Sequence, residues 1–182
     1  MISDLTLQNE VVLVDAQDRP LGTMEKMRAH VEGKLHRAFS VLLFNQNGET
    51  LIQKRALDKY HSGGLWSNTC CSHPFPNEPI LDAGVRRLQE EVYLKSDLVH
   101  SFHFVYEAKL DNNLTEHEFD HVLFGRIESF EKINPEEASE MKFISLDELN
   151  KEIEQHPYLY TEWFKTILSE YRDKIDEYLK KE

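Results

Sequence analysis

A chain of 182 residues, 40% hydrophobic and 30% charged, with only 7 glycines and 6 prolines, is the size of one domain with its own core and leaves little room for linkers. Its 33 acidic against 21 basic side chains give a formal charge of −12, which repels polyanions and argues against nonspecific nucleic-acid binding. No apolar run reaches the ~20 residues of a membrane span, no basic-then-apolar leader opens the chain, and the two cysteines, Cys70 and Cys71, are adjacent and unsuited to bridging each other. The expectation is a cytoplasmic protein without disulfides.

In chain order, Glu10–Val14 reads as a first strand, 18–22 as the turn that leaves it, and Thr23 as the N-cap of a short helix running toward His30. Ala38–Phe44 is a largely apolar strand, and the turn at 45–48 joins it to the alternating segment Thr50–Lys54 as a hairpin. Residues 63–67 are loop, followed by the run 68–73 and two prolines. From Ile80 to Val92 the apolar residues Leu81, Val85 and Leu88 recur at helical spacing. Phe102–Leu110 and Phe119–Ile127 are strands joined at 111–113, and Lys142–Ile144 is a last short one. Ser145 and Glu148 have the capping-box spacing, and a helix is predicted over 158–180. Strands interleaved with helices imply a mixed α/β layer structure.

Several side chains could carry chemistry. Glu116 and Glu118 are two apart at a strand start, so period-two geometry aims both carboxylates to one face and His117 to the other. They are either a solvated strand end or half of a divalent-metal site completed by His30, His36 or His73. Cys70 and Cys71 are either small buried hydrophobes or, just ahead of His73 and a helix, one of them is a reactive thiol; only one can line a given pocket. Arg86, Arg87, Glu90 and Glu91 have the spacing of solvated helix ion pairs. Lys26, Lys54, Arg55 and Lys59 suit a diphosphate if clustered and are surface charges if scattered. The acidic last third is the poorest place to seek a phosphate site.

Together, the run Asn68-Thr-Cys-Cys-Ser-His-Pro74, Arg55 to Lys59 before it, Gly64-Leu-Trp66, and Glu116-His-Glu118 after it resemble the type I isopentenyl diphosphate isomerases of the Nudix superfamily. The resemblance runs from about Val11 to Trp163 and implies a single Nudix-like domain over 1–182, an α/β/α sandwich with a central mixed sheet flanked by helices. The Nudix box G-x5-E-x7-R-E-U-x-E-E-x-G-U maps onto Ser72, Glu78, Arg86, Arg87, Leu88, Glu90, Glu91, Tyr93 and Leu94. Ser72, Arg87 and Tyr93 depart from it. The loss of the Glu at Arg87 argues against hydrolysis, and an Arg there is what the isomerase branch uses to meet diphosphate.

The resemblance implies that His30, His36, His73, Glu116 and Glu118 bind Zn²⁺ or Mn²⁺, and that Glu91 helps hold a diphosphate-bound Mg²⁺. It places Lys26, Arg55, Lys59 and Arg87 on the diphosphate, Cys71 and Glu118 as the proton-transfer pair, Tyr106 beside Glu118, and Trp163 over the reacting carbon. The implied substrate is a small isoprenoid diphosphate, and the expected state is a monomer or weak homodimer with no membrane or nucleic-acid partner. Moving a double bond requires a strong local acid in a water-shielded site, because an alkene is a weak base. The competing readings are a Nudix diphosphate hydrolase and a silent isoprenoid-diphosphate binding module. His61 and Ser62 receive no role, and His100, His103, His121 and His156 read as structural or surface residues.

Overall fold

The computed structural model describes residues 9–181. Its organising element is β3 (His36–Phe44), whose nine residues are nearly all buried, because both faces of the strand are covered. Phe39, Val41 and Leu43 point to one side, where they pack with Cys70, Leu88, Val92 and Leu123. Leu42 and Phe44 point to the other, against Val122, Phe124, Phe164 and Ile167. Helix α2 (Ile80–Val92) covers the first face and the C-terminal helices the second, which gives the expected layering of helix, mixed sheet and helix.

Each edge of β3 has its own partner. On one side β8 (Thr115–Arg126) runs parallel to it, from His36 opposite Glu118 to Phe44 opposite Arg126. On the other, β6 (Cys70–Ser72) runs antiparallel with Ser40 opposite Cys71. The strand β1 (Glu10–Val14) pairs with β2 (Pro20–Glu25) and touches β3 at His36. The expected hairpin after β3 exists only at its turn, where the Asn45 Oδ1 accepts the N–H groups of Asn47 and Glu49. Beyond the pair Phe44–Thr50, β4 (Thr50–Arg55) diverges to join β5 (Trp66–Ser67) and β9 (Ala138–Ile144), since β6 occupies the edge of β3 that a longer hairpin would use. The long β7 (Leu98–Lys109) pairs with β8 and completes the sheet.

Three local expectations change. Thr23 does not cap a helix: it lies inside β2, the turn falls at 15–19, and α1 (Lys26–Glu32) is capped by the Glu25 carboxylate, which accepts from the N–H groups of Met27 and Arg28. After α3 (Leu146–Gln155), whose N-cap is Ser145 as expected, the helix predicted over 158–180 is a 3₁₀ turn at Pro157–Leu159, then α4 (Glu162–Glu170) and α5 (Arg172–Leu179). The break is at Tyr171, whose ring leaves the helical path to stack on Phe102 at 4.6 Å. The third concerns the Nudix box. Tyr93 takes the left-handed C-cap of α2 (φ 55°, ψ 28°), a conformation that favours glycine, and the turn still closes through Leu94 N–H to Leu88 O. Ser72, in contrast, is an ordinary strand residue in β6.

Gly84 sets how close α2 lies to the sheet. A Cβ there would stand 2.7 Å from Leu123 Cδ1 and 2.8 Å from Leu98 Cδ1, so a larger residue would require these leucine side chains or the helix to shift. No helix among the described residues is long and apolar enough to cross a membrane.

Candidate metal and reaction site

The site assembles on the face of the sheet covered by the C-terminal helices. Period-two alternation puts Glu116, Glu118 and Asp120 of β8 on that face, together with Ser40 of β3. Because Cys71 lies opposite Ser40, it shares the face, while Cys70 turns into the core under α2. Only one of the two thiols therefore reaches the pocket. β6 and β8 flank β3 on its two edges, so Cys71 and Glu118 enter the same cavity from opposite sides of that strand. The cavity, about 50 Å³, is lined by Arg55, Tyr60, His61, Cys71, Tyr106 and Trp163 beside the carboxylates.

Imidazoles and carboxylates meet at one end. Donor atoms of His30, His36, His73 and Glu118 lie within 4.8 Å of one another, as do those of His30, His61 and Glu116. The Nδ1 atoms of His30 and His36 stand 2.7 and 2.8 Å from the backbone oxygens of Lys26 and Lys34, which places the ring proton there and leaves each Nε2 as a bare lone pair directed inward. Nε2 of His36 and His73 are 3.1 Å apart, and His73 Nε2 is 3.0 Å from Glu118 Oε1. His30 Nε2 and Glu116 Oε2 are buried without a hydrogen-bond partner. Unprotonated nitrogens and an orphaned carboxylate oxygen converging in a buried space are the donor set of a divalent-metal site, and the residues fit one.

Electrostatics follow from burial and these neighbours. Burial opposes a charge on Glu118, but His36 and His73 outweigh it and hold the carboxyl well below its usual range. Burial lowers His73 to about 4, with Glu118 only partly offsetting, so its imidazole is neutral. For His30 burial is overcome by Glu116 and the ring is shifted upward. Burial pushes the Cys71 thiol well up, against the pull of Arg55, whose Nη1 is 3.8 Å from Sγ. The Tyr106 hydroxyl donates to Glu118 Oε2 at 2.7 Å, because the two residues are direct cross-strand partners.

Trp163, on α4, is buried with its Nε1–H donating to Asn68 Oδ1 at 3.0 Å. Asn68 is itself held by bonds from its Nδ2 to the Val41 and Cys70 carbonyls. The Arg55 guanidinium sits 5.5 Å from the centre of the indole and donates to the His61 carbonyl, so Arg55 lines the reaction cavity and stands apart from the other expected diphosphate contacts.

Those other contacts form a second cavity of about 340 Å³, which shares Ser72 and His73 with the first and is lined by Lys26, Lys59, Arg86, Arg87 and Glu137. Burial and the neighbouring Arg87 and Lys59 cations lower the Lys26 ammonium. Glu137 offsets the cluster by pairing with Lys59 and, at 3.2 Å, with Arg87. Glu91 is buried, bonded by Arg87 at 2.6 Å and by the Gln53 amide at 3.1 Å. Arg86 pairs with Glu78 and Glu90. Sequence reasoning missed Glu137, Asn68, Tyr60, His61 and Asp120; only Asn68 and Asp120 carried a signal, one in the cysteine run and the other two residues beyond Glu118.

Residues 34–164 match the NUDIX domain family. The chain is 49% identical over 164 residues to "Isopentenyl-diphosphate Delta-isomerase" of Pectobacterium atrosepticum, covering 90% of this chain and 92% of that one. It is 46% identical to "Isopentenyl-diphosphate Delta-isomerase 2" of Aromatoleum aromaticum, covering 89% and 86%. Among solved structures, the protein DR0079 of Deinococcus radiodurans superposes with a TM-score of 0.67 at 17% identity, covering 80% and 89%, a likeness of fold alone. With the helix-flanked mixed sheet and the His/Glu centre, these matches show that the chain belongs to the NUDIX domain family, within its isopentenyl-diphosphate Delta-isomerase group.

Proposed function

We propose that the protein interconverts isopentenyl diphosphate and dimethylallyl diphosphate by adding a proton to one carbon of the alkene and removing one from another. The observation that carries this reading is the placement of Cys71 and Glu118 in one cavity on opposite sides of β3, next to a basic cavity large enough for a diphosphate. Lys26, Lys59 and Arg87 bind the diphosphate oxygens there, and Arg55 closes the site from the Trp163 side. Glu91 would help hold the Mg²⁺ that accompanies the diphosphate. The donor set of His30, His36, His73, Glu116 and Glu118 suits Zn²⁺ or Mn²⁺, which when bound supplies fixed positive charge that tunes and orients Glu118.

Toward dimethylallyl diphosphate, Glu118 in its protonated form, with the Tyr106 hydroxyl beside its Oε2, delivers a proton, a tertiary carbocation forms, and Cys71 as thiolate takes the proton lost from the other carbon. Because the substrate-free site favours the Glu118 carboxylate and the Cys71 thiol, one proton must pass from Cys71 to Glu118 before turnover in this direction. The reverse direction exchanges the roles. The Trp163 face stabilises the cation by about 2 kcal/mol in a dry site, well short of the ~8 kcal/mol or more that enzymes remove from a barrier. Positioning of donor and acceptor must supply the larger share. Asn68 contributes by locking the indole through its Nε1–H.

A Nudix hydrolase would have a carboxylate where Arg87 stands and no use for a thiol in the pocket. Incubating the purified protein with isopentenyl diphosphate, Mg²⁺ and either Zn²⁺ or Mn²⁺ tests the reading. Formation of the allylic isomer is expected; release of phosphate, or no product, would overturn it. A cytoplasmic location accords with the two free thiols.

A further inference from the structure

His61, in the loop between β4 and β5, is buried within the donor cluster and has no part in the reaction scheme above. Its Nε2 stands 2.9 Å from Glu116 Oε1, and its Nδ1 is 3.2 Å from the Ser62 hydroxyl. The other carboxylate oxygen, Glu116 Oε2, has no hydrogen-bond partner and lies 3.4 Å from the equally unpartnered Nε2 of His30. The edge of the His61 ring faces Trp163 with centroids 6.0 Å apart, and its carbonyl accepts from Arg55 at 3.2 Å. One residue thus touches the metal-type cluster and the indole through its ring and the guanidinium through its backbone carbonyl.

The tautomer decides what this residue does. The Nδ1 atoms of His30 and His36 face backbone carbonyls, which can only accept, whereas His61 Nδ1 faces the Ser62 hydroxyl, which can turn to donate and so lets the ring proton lie on Nε2, 2.9 Å from Glu116 Oε1. The protons on His30 and His36 sit on Nδ1, which leaves their Nε2 atoms free. His61 is arranged the other way round: it presents an N–H, not a lone pair, to the cluster. We infer that His61 is a positioning residue that ties down Glu116 Oε1, leaving Oε2 aimed with His30 at the cation, and that its edge contact with Trp163 links the indole to that centre.

The loop is built to hold this pose. Ser62 adopts a left-handed conformation (φ 51°), which turns its side chain back toward the ring, and its N–H donates to Asp111 Oδ1 at 3.4 Å. At the next position a Cβ on Gly63 would come within 2.4 Å of the Leu57 carbonyl oxygen, so the chain passes too close to itself for any side chain there.

The inference rests on the metal reading of the cluster, and it is tested without substrate. Mn²⁺ binding to the full chain, followed by the loss of the free-ion electron paramagnetic resonance signal, is compared for wild type, His61→Ala, His61→Gln and Ser62→Ala. Loss of a group that orients a ligand weakens metal affinity about 10–100-fold. That loss is expected for His61→Ala, with substantial recovery in His61→Gln, whose amide restores an N–H, and a smaller loss for Ser62→Ala. Nitrogen couplings should count the same coordinated imidazoles in wild type and His61→Ala. Unchanged affinity in His61→Ala, or the loss of one coordinated nitrogen, would overturn the positioning role. Should His61→Ala not fold, as judged by its thermal melt, His61→Gln and Ser62→Ala carry the same test, and wild-type affinity in Ser62→Ala together with loss of a coordinated nitrogen in His61→Gln would overturn it. Wild-type protein that binds neither Mn²⁺ nor Zn²⁺ would remove the metal reading itself, a result distinct from a failure of His61 alone.

Discussion

Replacing Tyr106 by Phe removes one oxygen atom from a buried side chain and leaves the ring in place among Phe104 and its neighbours. The lost interaction is a 2.7 Å hydrogen bond to Glu118 Oε2, the oxygen that His73 does not occupy. A hydrogen bond to a charged group contributes about 1.5–3 kcal/mol. If Tyr106 assists proton delivery, that energy is lost mainly from the transition state, which corresponds to a fall in kcat of about 10–150-fold. Because Tyr106 does not line the cavity of Lys26, Lys59 and Arg87, KM for isopentenyl diphosphate should hardly move. The same bond also supports the fold, so the variant should melt a few degrees lower, at roughly 2–4 °C per kcal/mol for a chain of this size. Steady-state kinetics by product chromatography and a thermal melt measure both. Wild-type kcat in a variant that shows the lower melting temperature would refute the reasoning, since the bond would then be structural only.

Two further predictions concern charge. Lys26→Met removes a cation crowded by Arg87 and Lys59, so KM should rise about 10-fold or more through a lost phosphate contact while thermal stability holds or improves; an unchanged KM would place the diphosphate elsewhere. His121 is lowered from 6.5 to about 4, chiefly by burial, with His100 and Arg37 adding to the effect and Asp18, 3.1 Å away, opposing it. The unfolded chain therefore binds a proton that the folded chain refuses, and stability from this group is complete above about pH 6.5 and lost as pH falls toward 4, by up to roughly 3 kcal/mol. Urea melts at pH 7 and pH 4.5 should show a smaller decline for His121→Gln than for wild type, and equal declines would contradict the sign.

What the sequence made legible is local. The 3.6-residue period gave α2 its bounds at Ile80 and Val92, and alternation correctly separated Glu116 and Glu118 from His117 and Cys71 from Cys70. What it concealed depends on partners far apart in the chain. Nothing near Thr50 announces that β6 will take the edge of β3, and nothing near Glu137 shows that its carboxylate will sit among Lys59 and Arg87. The loop histidine at position 61 has no periodicity to read; only the fold brings it to Glu116. Tyr171 shows the same limit at the helix level, because the pattern continues through it while its stacking on Phe102 ends the helix.

The central claim is that one of two adjacent cysteines moves a proton and its neighbour only packs. Cys70 is fully buried under α2, whereas Cys71 faces Glu118, Tyr106 and Trp163 across the cavity. The direct measurement is isomerisation by Cys71→Ala and Cys70→Ala, each matched to wild type for folded content, with Glu118→Gln as the partner control. The account predicts no detectable product from Cys71→Ala or Glu118→Gln and most of the wild-type rate from Cys70→Ala. Equal loss in the two cysteine variants, or turnover surviving in Cys71→Ala, would contradict it.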